Sequence, residues 1–122
     1  MKLTNREIFT YVNLLNNAFS DAEQKLPIKI NFYLQKNKKT LIELAQDIEQ
    51  SRLEIAQTNG QLDEEKGQYA IDPDKIKIVQ KELEDLFDLE QEVEIYTIDI
   101  DSLSDDLTLT TGQMEALMFM IN

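Results

Sequence analysis

Apolar residues recur at helical spacing in four stretches of this chain, and each stretch is bounded by residues that start or stop helices. Ile8, Val12, Leu15 and Phe19 form one stripe, which predicts a first helix from about Asn5 to Ser20. Leu34, Leu41, Ile48 and Ile55 repeat every seven residues with Leu44 between them, which predicts a single helix from about Pro27 to Thr58. Asn37 and Ser51 fill the other intermediate positions of that stripe. Ile28, Ile30, Phe32 and Leu34 also alternate as they would in a strand, so its first turns have a competing reading. Ile76, Val79, Leu83 and Leu86, with Phe87 beside them, predict a third helix from Pro73 to about Gln91. Met114, Leu117, Met118 and Ile121 give the inner face of a last helix over Thr111–Ile121. Phe119 and Met120 leave that helix apolar nearly all round, which predicts that it is central or buried in an interface.

The helix starts carry their own chemistry. Thr4 and Glu7 can form a capping box, with Leu3 and Ile8 as its hydrophobic staple, and Thr110 and Gln113 repeat the arrangement. Asp72 is placed to cap the third helix, Pro73 fits the first helical position, and Ile71 can staple to Ile76. Asn59-Gly60 stops the second helix, and 59–72 reads as a polar excursion turning at 63–67, with a short strand at Gln68–Ile71. Val93–Ile100 alternates and is rich in β-branched and aromatic residues, so it reads as a strand, with a second at Leu107–Leu109 and a loop at Asp101–Asp106 between them. The pattern predicts a mainly helical α+β domain spanning residues 1–122, with helices 2 and 3 as a long antiparallel hairpin beside a small β-sheet.

Composition narrows the function classes. At 122 residues and 42% hydrophobic content the chain can bury a modest core as one domain, and it is too apolar for a disordered acidic tail. No apolar run approaches a membrane span, and no basic stretch followed by an apolar one marks a signal peptide; a reducing cytoplasm fits the absence of Cys. The chain has no Cys and no His, which removes disulfides, thiolate sites, a cysteine nucleophile and an imidazole base. Gly60, Gly67 and Gly112 are too far apart for a phosphate-binding loop. No cofactor and no metal is expected.

Charge is the feature that changes this picture. Residues 1–42 hold seven bases against three acids, a formal +4, while residues 43–122 hold five against 21, a formal −16. From Glu82 to Asn122 there are twelve acids and neither Lys nor Arg. An antiparallel hairpin would bring Lys29, Lys36, Lys38 and Lys39 near Glu82, Glu84, Asp85, Asp88 and Glu90, where exposed pairs would favour the register. The other readings of the acidic stretch are a surface for a basic protein partner and imitation of the DNA backbone. Glu84, Asp88 and Glu92, at steps of four on one helix, would supply part of such a frame. The strong negative charge argues against direct binding of nucleic acid or of an anionic membrane.

Other constellations are weaker. Asp99 to Asp106 lacks the glycine and the closing glutamate of a helix–loop–helix calcium site, although Ser104 and Asp106 offer oxygens. Asp99 and Asp101 would share a face on a strand, a spacing compatible with acid–base work, but nothing marks a cleft around them and enzyme activity is not expected. Phe32 and Tyr33 among the lysines superficially resemble a nucleic-acid stripe, and their spacing favours core aromatics with a lysine rim. Met114, Met118 and Met120 read as core in the same way.

Asn5-Arg6-Glu7-Ile8-Phe9, the run from Lys25 to Tyr33 followed by Gln35-Lys36-Asn37, and the ending from Asp106 through Thr110 into Met114-Glu115-Ala116-Leu117 resemble a family of small uncharacterised proteins from phages and prophages of Gram-positive bacteria. That family has no established activity or functional residues to carry over. The resemblance implies a phage accessory protein made in the cytoplasm of the bacterial host. The expected function is non-enzymatic, through contact with a phage or host protein or with a second copy. Candidate contact residues are Glu84, Asp88 and Glu92 on the acidic face and Phe119 and Met120 on the last helix. The alternatives are an acidic inhibitor of a host DNA-binding or defence protein and a structural or assembly subunit of the virion.

Overall fold

The structure, a computed structural model, describes residues 1–19, 26–103 and 107–121. The order is β1 (Lys2–Thr4), α1 (Asn5–Ala18), α2 (Ile28–Asn59), β2 (Gly60–Asp63), β3 (Gln68–Ile71), α3 (Ile76–Asp88), β4 (Glu90–Glu92) and α4 (Thr111–Leu117). The chain is a mainly helical α+β fold in which α1 packs on α2, α3 and α4, and α3 packs on α2. The strands form two separate antiparallel pairs, β1 with β4 and β2 with β3.

The heptad stripe folds as one helix of 32 residues, about 48 Å long. The alternation of Ile28, Ile30, Phe32 and Leu34 is thus absorbed into helix rather than strand. Ile30, Leu34, Leu41, Ala45 and Ile48 are buried along it, and they join Leu3, Ile8, Leu15, Val93, Ile98, Ala116, Leu117 and Met120 in one contiguous core. Val12, Phe19 and Leu44 lie half-buried against that core. Among the described residues no helix is long and apolar enough to cross a membrane.

Both capping boxes form as their residues dictate. The Glu7 N–H donates to Thr4 Oγ1 at 3.1 Å while the Thr4 N–H donates to Glu7 Oε1 at 3.0 Å. Gln113 and Thr110 exchange the same two bonds at 3.1 and 3.0 Å. The third start differs. A 3-10 turn at Pro73–Lys75 precedes α3, and the Asp72 side chain makes no capping bond, its carboxylate lying 3.9 Å from Lys75 Nζ instead. Ile76, expected on the inner face, is exposed because α3 begins one tight turn later than the pattern implies.

The polar excursion is a hairpin, with Gly60 opposite Ile71 and Asp63 opposite Gln68. The predicted turn is held by Asp63, whose Oδ1 accepts from the N–H groups of Glu65 and Lys66, and by Gly67 at φ 65°, a conformation that glycine adopts without strain. A Cβ on Gly60 would lie 2.4 Å from the Ala70 carbonyl oxygen, so the strands approach too closely for any other residue. Gly60 is therefore both the stop of α2 and the first residue of β2.

Four expectations are corrected. The third helix ends at Asp88 rather than Gln91, because Leu89 turns extended and Glu90–Glu92 pairs with Lys2–Thr4. Val93–Ile100 is not a strand, since Val93, Tyr96 and Ile98 are each met by a different element instead of by a ladder. Leu107–Leu109 is irregular. The last helix is shorter than its pattern: α4 gives way to a 3-10 turn at Met118–Met120. A 3-10 turn has three residues per turn, so Met120 falls in line with Leu117 and is buried, while Met118 is thrown outward and is 67% exposed. The expected end of the first helix at Ser20 lies outside the described residues.

Leu41 is fully buried in the middle of α2, so Leu41→Ala should destabilise by about 2–5 kcal/mol in denaturant unfolding. A loss below about 0.5 kcal/mol would contradict the buried stripe.

Candidate functional site

The acids of the candidate face do not share one helix. Glu84 is exposed on α3, Asp88 is its last residue, and Glu92 belongs to β4. The four-residue spacing that would have aligned them on a helix is broken at Leu89. Asp88 Oδ1 lies 3.3 Å from Arg6 Nη2, Glu90 Oε2 is 3.9 Å from Lys2 Nζ, and Glu92 Oε2 is 3.6 Å from the Met1 amine. All are exposed pairs, each contributing at most a few tenths of a kcal/mol, so the acids remain a solvated negative surface.

The Lys-rich start of α2 is not the counterpart of these acids. At 13 residues α3 runs back along only part of α2, and its end meets α1 beside the middle of α2. There Arg6, Phe9, Thr10, Asn13, Glu49 and Phe87 line a shallow groove of about 300 Å³. Phe9 meets Phe87 edge to face with centroids 5.7 Å apart, and the Arg6 guanidinium lies 5.6 Å from the Phe87 ring centroid. Farther up α2, Lys29 and Lys36 lie 5.8 and 5.5 Å from the ring centroids of Tyr33 and Phe32. Phe32 is 52% exposed and is not core, contrary to the expectation from its spacing.

A polar residue that the sequence pattern left without a role organises the acidic side. Asn37 is 0% exposed in the α2 stripe. The Tyr96 N–H donates to Asn37 Oδ1 at 2.8 Å, and Asn37 Nδ2 donates to the Tyr96 carbonyl at 2.9 Å. One carboxamide thus takes the place of a neighbouring strand, and Tyr96 also stacks on Tyr33 with centroids 5.3 Å apart. Upstream, the Val93 N–H donates to the Met1 carbonyl at 2.8 Å and the Met1 amine to the Val93 carbonyl at 3.0 Å. Downstream, the Ile98 N–H donates to the Met120 carbonyl at 2.7 Å.

Asn5 plays a matching part where α3 ends. Its Nδ2 donates to the Leu86 carbonyl at 2.7 Å, its Oδ1 accepts from Gln91 Nε2 at 2.6 Å, and its N–H donates to the Leu89 carbonyl at 2.9 Å. Gln113 Nε2 closes the far side by donating to the Ala18 carbonyl at 3.0 Å. Among the described residues no buried side-chain polar atom is left without a partner. A polar residue inside an apolar heptad stripe was the available signal for Asn37, because burial there requires a defined hydrogen-bonding partner.

On the last helix the two candidate contacts separate. Phe119 is half-buried and stacks on Tyr11 with centroids 4.7 Å apart. Burial, with Glu7 nearby as the smaller cause, pushes the Tyr11 phenol above its ordinary pKa. Met120 is 0% exposed, its Sδ 3.5 Å from Asn37 Nδ2, so it belongs to the core and offers no surface to a partner. Asp99 precedes a 3-10 turn at Ile100–Ser102 that contains Asp101, so the strand geometry that would have put their carboxylates on one face is absent. Ser104 and Asp106 of the calcium reading lie outside the described residues.

Asn37→Ala should leave α2 helical but destabilise the protein by about 1–3 kcal/mol in denaturant unfolding, because the Tyr96 main-chain groups lose their partner. A change below about 0.3 kcal/mol would show that the carboxamide holds nothing. In comparisons with known proteins, no family model, no curated sequence and no solved structure matches this chain.

Proposed function

We propose that this is a non-enzymatic phage accessory protein, made in the bacterial cytoplasm, that works by binding another protein through its acidic side. The phage origin rests on the sequence resemblance alone. The supporting observation for the contact is the placement of Glu84, Glu90, Glu92 and Glu94 in solvent on a segment held to the core through Asn5, Met1 and Asn37. Charge on such a frame is fixed in space, which favours steering and selecting a basic partner over simply keeping the chain soluble. Glu84, Asp88 and Glu92 are the candidate contacts and Phe119 a lesser one, while Met120 is buried and offers no contact.

The DNA-mimic alternative loses its helical frame at Leu89, since carboxylates imitating phosphates need regular spacing along one rigid axis. An acidic inhibitor of a basic protein that does not imitate DNA, and a virion assembly subunit, are both forms of the same contact.

Tagged protein can be used to capture partners from phage-infected cells at low salt and at about 0.5 M salt, where exposed charges are screened. The combined change Glu84→Gln, Asp88→Asn and Glu92→Gln should cut recovery of the captured protein by about tenfold or more while moving stability by less than about 1 kcal/mol. Undiminished recovery by this variant would overturn the acidic-face reading.

A further inference from the structure

Only alternate residues of an antiparallel pair exchange bonds across the ladder. Met1 and Val93 do so, and the Asn5 N–H bonds the Leu89 carbonyl in the same phase, so Leu3 pairs with Gln91 in that way. Glu90 and Glu92 therefore turn their N–H and C=O groups to the opposite edge of β4. Glu94, next in the alternation, makes no main-chain hydrogen bond among the described residues. On that same phase Tyr96 has both groups taken by the Asn37 carboxamide. A shallow groove of about 440 Å³ is lined by Glu92–Tyr96 together with Met1 from the paired side. Among the described residues the main-chain groups on this edge are thus without partners from Glu90 to Glu94 and are taken at Tyr96.

Resting on the protein-contact reading above, we infer that this edge is a strand-addition site for an extended peptide segment in which Lys or Arg alternates with apolar residues. Strand addition supplies affinity through main-chain bonds and selectivity through alternate side chains. Glu90, Glu92 and Glu94 project to the exposed face, whereas Gln91, Val93 and Ile95 face inward, with Val93 fully buried. A strand laid along this edge places one set of its residues beside the three glutamates and the other set beside the core margin. Basic residues suit the first set and apolar residues the second. β1 is a precedent on the other edge: exposed Lys2 lies opposite Glu92 and reaches Glu90, while Leu3, opposite Gln91, is buried. The glutamates also decide against a second copy, because edge-to-edge pairing of two β4 strands would oppose Glu to Glu. Asn37 sets where the added strand must stop.

The test uses the full chain and a short labelled peptide of alternating Lys and Val, followed by fluorescence anisotropy. Two further peptides carry backbone N-methyl groups, one on every Lys and the other on every Val. An edge-docked strand turns alternate N–H groups toward its neighbour, so one isomer should lose about tenfold or more in affinity while the other binds like the parent. Loss with methylated Lys indicates antiparallel addition, and loss with methylated Val indicates parallel addition. Hydrogen exchange should slow at the Glu92 and Glu94 amides on adding the parent peptide and stay unchanged at Gln91, already in the ladder. Equal affinity of the two isomers would overturn strand addition and leave a purely electrostatic contact, with the acidic-face reading intact. Absence of binding by the parent peptide would also overturn it. Partner capture that is unaffected by the triple acidic variant would instead overturn the broader reading, whatever the peptides do.

Discussion

An amide group moved from water into a protein interior costs free energy unless both its donor and its acceptor find partners. Asn37 meets that condition on a single residue, Tyr96, and the arrangement of the acidic side follows from it. The chain leaving β4 has no second strand to accompany it across the start of α2, so its main-chain groups need partners of another kind. At Tyr96, Asn37 supplies them from within the first third of α2, with the Met120 sulfur and the Tyr33–Tyr96 stack closing around the pair. Asn5 and Gln113 do the same at the end of α3 and the start of α4. Buried carboxamides thus join elements of this fold at three places where regular hydrogen bonding stops, and at Asn37 the apolar stripe of α2 provides the burial that makes the joint strong.

This construction separates the charge from the stability. The exposed pairs of Arg6 with Asp88 and Lys2 with Glu90 contribute little, and the acids crowd a short ribbon held by backbone and amide contacts rather than by ion pairs. A surface supported in that way can keep its glutamates in solvent and its edge unpaired without depending on their neutralisation. Lys29 and Lys36 at the start of α2 lie over their own aromatic neighbours, so positive and negative regions coexist on one molecule.

What the sequence made legible was what local physics controls. Both capping boxes are four-residue arrangements whose bonds close within one turn, and the long helix is written in a seven-residue period that no other element satisfies. The 63–67 turn follows from one Asp and one glycine with positive φ. The β1–β4 pair was not legible, since it joins segments almost ninety residues apart over three residues each, too short to show an alternating pattern. The same pairing draws Glu90–Glu92 out of the third helix and so dissolves the expected stripe of Glu84, Asp88 and Glu92. At the C-terminus, the change from α to 3-10 winding after Leu117 reverses the inside and outside of Met118 and Met120, and residue type alone does not signal it. Asn37 was visible as a polar residue in an apolar stripe, but its partner lies 59 residues away.

Native-state hydrogen exchange of the Tyr96 amide, resolved by solution NMR, tests the Asn37–Tyr96 joint most directly. Tyr96 has an exposed side chain outside regular secondary structure, so an unpartnered amide there would exchange at nearly the rate of an unstructured peptide. With Asn37 holding it, the Tyr96 amide should be protected to a degree comparable to the core amides of α2, and Asn37 should show two resolved and shifted side-chain amide protons. Fast exchange at Tyr96, with averaged Asn37 amide protons, would show that the carboxamide does not hold the segment and that the acidic ribbon lacks its support.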